Sequence, residues 1–264
     1  SPFSMNNRKG TVLPLERAVC YGPLHSRRLG LSLGINLLST QRKICSFDCI
    51  YCHYGPTHLK TLAPDEHDLP GAETILKAIA QALHRHPEVD SLTFSGNGEP
   101  TLHPYFPAIL AETARLRDRF APRAKITVFS NATTLTRPEI HAALLRCDNP
   151  ILKLDAGDPQ TFALIDRPVA GLELATLCAA IKSVPHAITQ SAFIGGRVTN
   201  VEGDAFEAWL TALAAIRPTQ AQIYSTDYPV AEASIERIPP YRLRALAAEA
   251  TRRTGVEVTA YWPG

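Results

Sequence analysis

Methionine is almost missing from this chain: Met5 is the only one among 264 residues. It suits a natural start, so Ser1–Ser4 read as a remnant of expression and residues 5–264 as one domain. No apolar run approaches the ~18 residues that a membrane span requires. No charged segment leads into an apolar one near the N-terminus, so neither a span nor a signal peptide is expected. Charge of one sign is lacking too. Twenty-seven Lys and Arg against 25 Asp and Glu leave a net +2, a balance that permits a nucleic-acid partner without indicating one. Internal repeats and low-complexity segments are absent. Cysteines are few, six in all, and Cys20, Cys147 and Cys178 stand alone. A disulfide framework is therefore not expected, and a reducing cytoplasm fits best.

What is present is a composition of 45% hydrophobic and 20% charged residues, enough for a sizeable core. Short apolar or β-branched runs alternate with amphipathic helical patterns. Strands are expected at Leu33–Leu38, Ser91–Ser95, Ile126–Ser130, Ile151–Asp155, Ile188–Phe193, Ala221–Ser225 and Val256–Tyr261. Helices are expected near Glu73–Arg85, Pro104–Arg119, Arg137–Leu145, Leu172–Ser183, Gly203–Ile216 and Pro240–Thr254. In the first of these, Ile75, Leu76, Ile79, Ala80 and Leu83 recur at helical spacing. Strand–helix alternation predicts a parallel sheet covered by helices, either a partial α/β barrel or an open doubly wound sheet. In both, a ligand binds at the C-terminal ends of the strands. Polar clusters follow the strands there: GNGEP at 96–100, Ser130-Asn131, Asp155 and Thr226-Asp227.

The most informative stretch is ICSFDCIYCHYG, which sets Cys45, Cys49 and Cys52 at C-x3-C-x2-C in a long loop after the first expected strand. Thiolates suit zinc or an iron–sulfur cluster. A closed zinc site needs a fourth ligand, which His53 or His58 can supply. A two-cysteine redox pair accounts for Cys49 and Cys52 but not Cys45. Three thiolates on a [4Fe–4S] cluster leave one iron free to bind a small molecule. An iron–sulfur or zinc module that carries electrons or senses, with no further chemistry, is the alternative to an enzyme.

With Tyr51 ahead of the last cysteine, the motif resembles the signature of the radical S-adenosylmethionine (radical SAM) superfamily. FSGNGEPTLHP at 94–104 resembles the superfamily's glycine-rich segment after the second strand, and FSNAT at 129–133 its third-strand segment. YGPLHSRRLG at 21–30, KLDAGD at 153–158 and Arg167-Pro168 resemble a subgroup related to wyosine synthases. Tyr228 departs from that subgroup, which carries arginine there.

The resemblance implies a partial (β/α)6 TIM-type barrel with the cluster loop after its first strand. It implies that Cys45, Cys49 and Cys52 ligate three irons of a [4Fe–4S] cluster. S-adenosyl-L-methionine (SAM) then chelates the fourth and is cleaved to start radical chemistry. An external electron donor of flavodoxin or ferredoxin type is implied as partner. The substrate, whether small molecule, peptide or tRNA base, is not.

Candidate SAM contacts are Phe47, Tyr51, Gly96, Asn97, Gly98, Glu99, Ser130, Asn131 and Asp155; Phe47 serves equally as packing. Glycines let backbone approach a ligand closely. Lys153 and Asp155 share one strand face. Lys153 is the candidate catalytic residue, pairing with a carboxylate of SAM or substrate, forming an imine with a carbonyl, or pairing internally with Asp155 or Glu99. His53, Arg27 and Arg28 are further candidates near the cluster or substrate.

Overall fold

A computed structural model describes residues 12–226, 230 and 232–262. The expectation concerning Tyr228 lies outside the described residues, as does Asp227. The chain divides into two compact units, Leu15–Ser46 with His58–Leu152, and Ser1–Pro14 with Phe47–Thr57 and Lys153–Gly264.

In the first of these, β1 (Cys20–Ser26) runs antiparallel to β2 (Gly30–Ile35). Arg27 and Arg28 form the turn between them, with the Arg28 guanidinium 5.8 Å from the centre of the Phe129 ring. Two-residue strands β3 (Ile44–Cys45) and β4 (Leu59–Lys60) pair in parallel. Helix α1 (Ala72–Arg85) buries Ile75, Ile79, Ala82 and Leu83, one stripe at helical spacing. Pro87, just past its end, prevents continuation. Then come β5 (Ser91–Phe94), α2 (Phe106–Phe120), β6 (Lys125–Ser130), α3 (Pro138–Arg146) and β7 (Asn149–Lys153). Pro107 and Pro138 sit in the first turns of α2 and α3, where a missing N–H costs nothing.

Strands β2, β5, β6 and β7 are parallel in that order. One face is apolar: Leu33, Ile35, Leu92, Phe94, Ile126 and Val128 are buried. On the other, Ser32 bonds Thr93 (2.7 Å), Ser91 bonds Thr93 (3.0 Å) and Thr127 (3.1 Å), and Asn149 bonds Thr127 (3.1 Å). This row of hydroxyls is what a period-2 strand produces when both faces are covered but only one is greasy.

The other unit continues with α4 (Pro159–Asp166), α5 (Leu174–Lys182), β8 (Ile188–Ala192), β9 (Ile194–Gly196), α6 (Gly203–Ile216), β10 (Gln220–Tyr224), β11 (Ile235–Arg237), α7 (Pro240–Thr254) and β12 (Val258–Tyr261). Strands β8, β10 and β12 are parallel, and β9 and β11 form an antiparallel pair. The core is built on Trp209, stacked on Phe206 and met edge-on by Phe193 at 4.9 Å between ring centres. Its indole N–H donates to the Leu154 carbonyl (3.1 Å) and to Ser191 Oγ (3.0 Å). Gly157 lies so close to the Ala208 carbonyl that any Cβ would overlap it.

Each expected helix is present within two residues of its expected bounds. One strand differs more, β2, which runs Gly30–Ile35 rather than Leu33–Leu38, and β7 ends at Lys153, two residues before Asp155. Apolar content extends past both ends, because Leu37 and Leu38 and then Leu154 are buried as loop residues. Arg27 and Arg28 do not simply precede the first strand. A strand, β1, lies ahead of them.

Candidate active site

The site is best built one unit at a time. Cys45 ends β3, and its carbonyl accepts from Thr61 N (3.1 Å). Leu38, Ile44, Leu69 and Leu102 pack beneath this stretch as a small apolar cluster. Asn131, at the C-terminal end of β6, braces the cysteine from the side: Nδ2 lies 2.9 Å from Ser46 Oγ and 3.8 Å from Cys45 Sγ. Its Oδ1 accepts from Thr133 N (3.2 Å) and Oγ1 (2.8 Å), so Asn131 stands in one rotamer.

Glu99 is the hub behind it. The buried carboxylate accepts from Asn131 N (2.7 Å), Ser130 Oγ (2.8 Å), Thr101 N (3.3 Å) and Thr101 Oγ1. Burial pushes this carboxyl up from its usual range, and those donors oppose the shift. Asn97 is also engaged internally, donating to Glu16 O (2.5 Å) and Leu38 O (3.1 Å) and accepting from Glu16 N (2.7 Å). Gly98 presses on Ile44, whose carbonyl occupies the space a Cβ would take. Gly96 has φ 127°, a region that favours glycine.

The side chains of Asn97, Glu99, Ser130 and Asn131 therefore tie the strand ends to the Cys45 segment. What GNGEP has left to offer a ligand is backbone. The His58 ring, a candidate zinc ligand, accepts from Lys43 N through Nδ1 (2.9 Å).

In the other unit, Phe47–Thr57 is folded onto itself by Cys52 N to Cys49 O (3.1 Å), Gly55 N to Cys52 O (3.1 Å) and Thr57 N to Asp48 Oδ1 (2.8 Å). It is strapped to α4 by Asp48 N to Asp166 O (2.9 Å) and Ile50 N to Ile165 O (3.0 Å). The buried Phe47 ring packs edge-on against Phe162 at 5.6 Å. Tyr51 is buried, and its hydroxyl donates to Asp155 Oδ2 (2.5 Å) while accepting from the Lys153 ammonium. Lys153 Nζ also lies 3.5 Å from Asp155 Oδ2 and 4.8 Å from the centre of the Tyr51 ring. Asp155 Oδ1 accepts from Ala192 N (2.9 Å).

The electrostatics follow from that packing. Burial alone would push the Lys153 ammonium down, but Asp155, then Tyr224, Cys49 and Asp166, together outweigh it and hold the group well above its ordinary value. Burial, then the Asp155 charge, raises the Tyr51 phenol. Burial, then the Lys153 charge, lowers His53 to about 4, so the ring is neutral at pH 7. Asp166 was not foreseen in the sequence. It is buried, accepts from Cys49 Sγ at 3.6 Å, and is raised by burial and then by Asp155. Cys49, Asp155 and Asp166 bring potential ligand atoms within 4.8 Å of one another. The signal that could have marked Asp166 is its place directly before Arg167-Pro168.

The donor set suits an iron–sulfur cluster. None of the six cysteines is joined in a disulfide. The three outside the motif are poor thiolates: burial pushes Cys147 up to about 12 and Cys20 up to about 11, and raises Cys178 as well. The three soft ligands of the motif fall within positions 45–52 of the sequence, the close spacing a cluster of this kind uses.

Comparison with known proteins agrees. The radical SAM superfamily profile matches residues 42–213, and the chain belongs to that superfamily. It is an enzyme of the radical SAM class, whose members use a [4Fe–4S] cluster and SAM, and its fold is their partial TIM-type barrel. Within the superfamily it belongs with the UPF0026 proteins. It is 32% identical over 204 residues to UPF0026 protein slr1464 of Synechocystis, covering 77% of this chain and 73% of that one. A Brachyspira hyodysenteriae protein described as GTPase Obg is 33% identical over 168 residues, 63% of this chain. The match spans only 23% of that longer protein. Among solved structures, TYW1 with a lysine-pyruvate adduct bound superposes with a TM-score of 0.59 at 14% identity, over 84% of this chain and 73% of that chain.

Proposed function

We propose that this enzyme reductively cleaves SAM at a [4Fe–4S] cluster held by Cys45, Cys49 and Cys52, and starts radical chemistry on a separate substrate. The observation that carries the reading is the C-x3-C-x2-C motif, its cysteines outside any disulfide, inside the region matched to the superfamily. When bound, the cluster supplies the electron that breaks the sulfonium of SAM. The chain's own residues hold and orient. Asn131 and Ser46 fix the Cys45 side, α4 fixes the Cys49 side, and the backbone of Gly96–Gly98 offers acceptors to the ammonium of SAM. Asp155 and Tyr51 form the polar floor on which Lys153 sits.

Lys153 serves as a fixed cation rather than an imine-forming amine. A nucleophilic lysine must be neutral, and Asp155 keeps this one protonated. The adduct seen in the TYW1 structure is therefore not carried over to Lys153. A carboxylate of SAM or of the substrate is the ligand group that suits it. The near-neutral charge favours a small molecule or peptide over a tRNA base. A flavodoxin- or ferredoxin-type protein is the proposed electron donor.

Anaerobic reconstitution tests this. About four irons and four sulfides per chain are expected. Cys45→Ala, Cys49→Ala and Cys52→Ala should each lose the cluster, and Cys20→Ala, Cys147→Ala and Cys178→Ala should keep it. SAM should alter the electron paramagnetic resonance spectrum of the reduced protein. One zinc per chain and no iron overturns the reading. A spectrum indifferent to SAM would leave an electron carrier instead.

A further inference from the structure

Helix α4 ends at Asp166 because Arg167 adopts the left-handed region (φ 43°) and Pro168 follows. A helix that ends leaves its last carbonyls without internal partners. Two of them, on Ile165 and Asp166, are taken by Ile50 N–H and Asp48 N–H. Those two donors flank Cys49. The cysteine is thus held from both sides by consecutive carbonyls of one helix end.

The Asp166 side chain adds a third contact, Oδ1 at 3.6 Å from Cys49 Sγ, within hydrogen-bond range for sulfur. It is 2% exposed and close to a second carboxylate, Asp155. Burying a carboxyl beside another is costly, and a leucine of similar size would fill the space at no such cost. Neither the helix end nor the loop backbone needs the carboxyl, since the main-chain groups already satisfy each other. Oδ1 faces the sulfur, and the side chain also hydrogen-bonds that of Asp155.

We propose that Asp166 is a positioning residue for Cys49: its carbonyl fixes the loop beside the ligand, and its side chain sets the polar surroundings of the sulfur that binds iron. This rests on the cluster reading. Hydrogen bonds and charge at the sulfurs govern the potential of such clusters. Asp166 therefore governs how readily the electron is accepted.

The experiment uses the full chain, reconstituted anaerobically without SAM, as wild type, Asp166→Asn and Asp166→Leu. Iron per chain, circular dichroism, the midpoint potential and the g values of the reduced cluster are measured. Both variants are expected to fold and hold iron with displaced potential and g values, Leu further than Asn. Loss of iron in the Leu variant, with the Asn variant loaded but displaced, supports the same role. Wild-type potential and g values in a loaded variant overturn it. So does unfolding of both, which would make Asp166 a structural residue of α4. A wild type that takes up no iron sinks the cluster reading and this one with it, whereas a loaded wild type with indifferent variants sinks only this one.

Discussion

Lys153 shows how a single residue is decided by its neighbours. Its ammonium has one face on buried Asp155 and Tyr51, and its side chain keeps 22% of its surface exposed. Substitution by Met leaves Asp155 with the Tyr51 hydroxyl and the Ala192 N–H but without its cation. A loss of ~3 kcal/mol is expected, at the low end for breaking a buried pair because Lys153 is partly exposed. The sign of the pH dependence follows from the raised pKa. The contribution is fully present below the unfolded value of about 10.4 and is lost only as pH rises through the folded one. Thermal melts of the cluster-free Lys153→Met protein should therefore show the same deficit at pH 6 and pH 8. A deficit that vanishes at pH 6 would contradict the assignment. The same logic sorts the thiols. Held up to about 12, the Cys147 thiol has a thiolate fraction at pH 8 of about 10⁻⁴. Disulfide reagents at pH 8 should leave Cys147 unmodified in the folded, cluster-free protein.

Elements position the site more than any contact to it does. Strand β3 is two residues long, yet it carries Cys45 because Gly98 lies against the Ile44 carbonyl. Gly98→Ala must push that backbone away. The expected outcome is iron uptake well below wild type with the helical circular dichroism retained. Normal uptake would show that β3 yields freely. In the other unit, α6 is anchored by the Trp209 indole on Leu154 O and Ser191 Oγ. Trp209→Phe keeps most of the packing but loses both bonds, a cost of ~1–2 kcal/mol readable by urea unfolding.

The helices were legible because their apolar stripes repeat at 3.6 residues over nine or more positions. Strand β1 was not, since Gly22 and Pro23 interrupt CYGPLHS and its pairing depends on β2. Helix α4 was missed although Asp158 caps it, accepting from Thr161 N at 2.8 Å, with Pro159 at its start. Eight residues give periodicity little to work on. The cysteine motif announced itself chemically. The partnership of Cys49 with Asp166 did not, because 117 positions separate them and no local pattern joins such pairs.

At the scale of the whole molecule, 27 basic and 25 acidic side chains leave no dominant field. A protein that gripped RNA mainly through phosphates would release counterions and lose affinity steeply with salt. Binding to bulk tRNA is expected to be weak, with a shallow dependence of log K on log salt. A steep slope, of several phosphates, would return the tRNA-base reading to the front. Among the described residues no helix is long and apolar enough to cross a membrane.

The contact between Gly157 and the Ala208 carbonyl has a consequence for anyone reading variation in this chain. In a saturation library selected for function, position 157 should be as depleted of substitutions as the three cysteines, since every other side chain collides with α6. Yet it meets a helix backbone rather than a ligand. Scores of mutational tolerance would mark KLDAGD as uniformly essential. Sorting the same library by abundance and by iron content separately would pull Gly157 away from the cysteines: its variants vanish from the pool, while the cysteine variants persist, colourless.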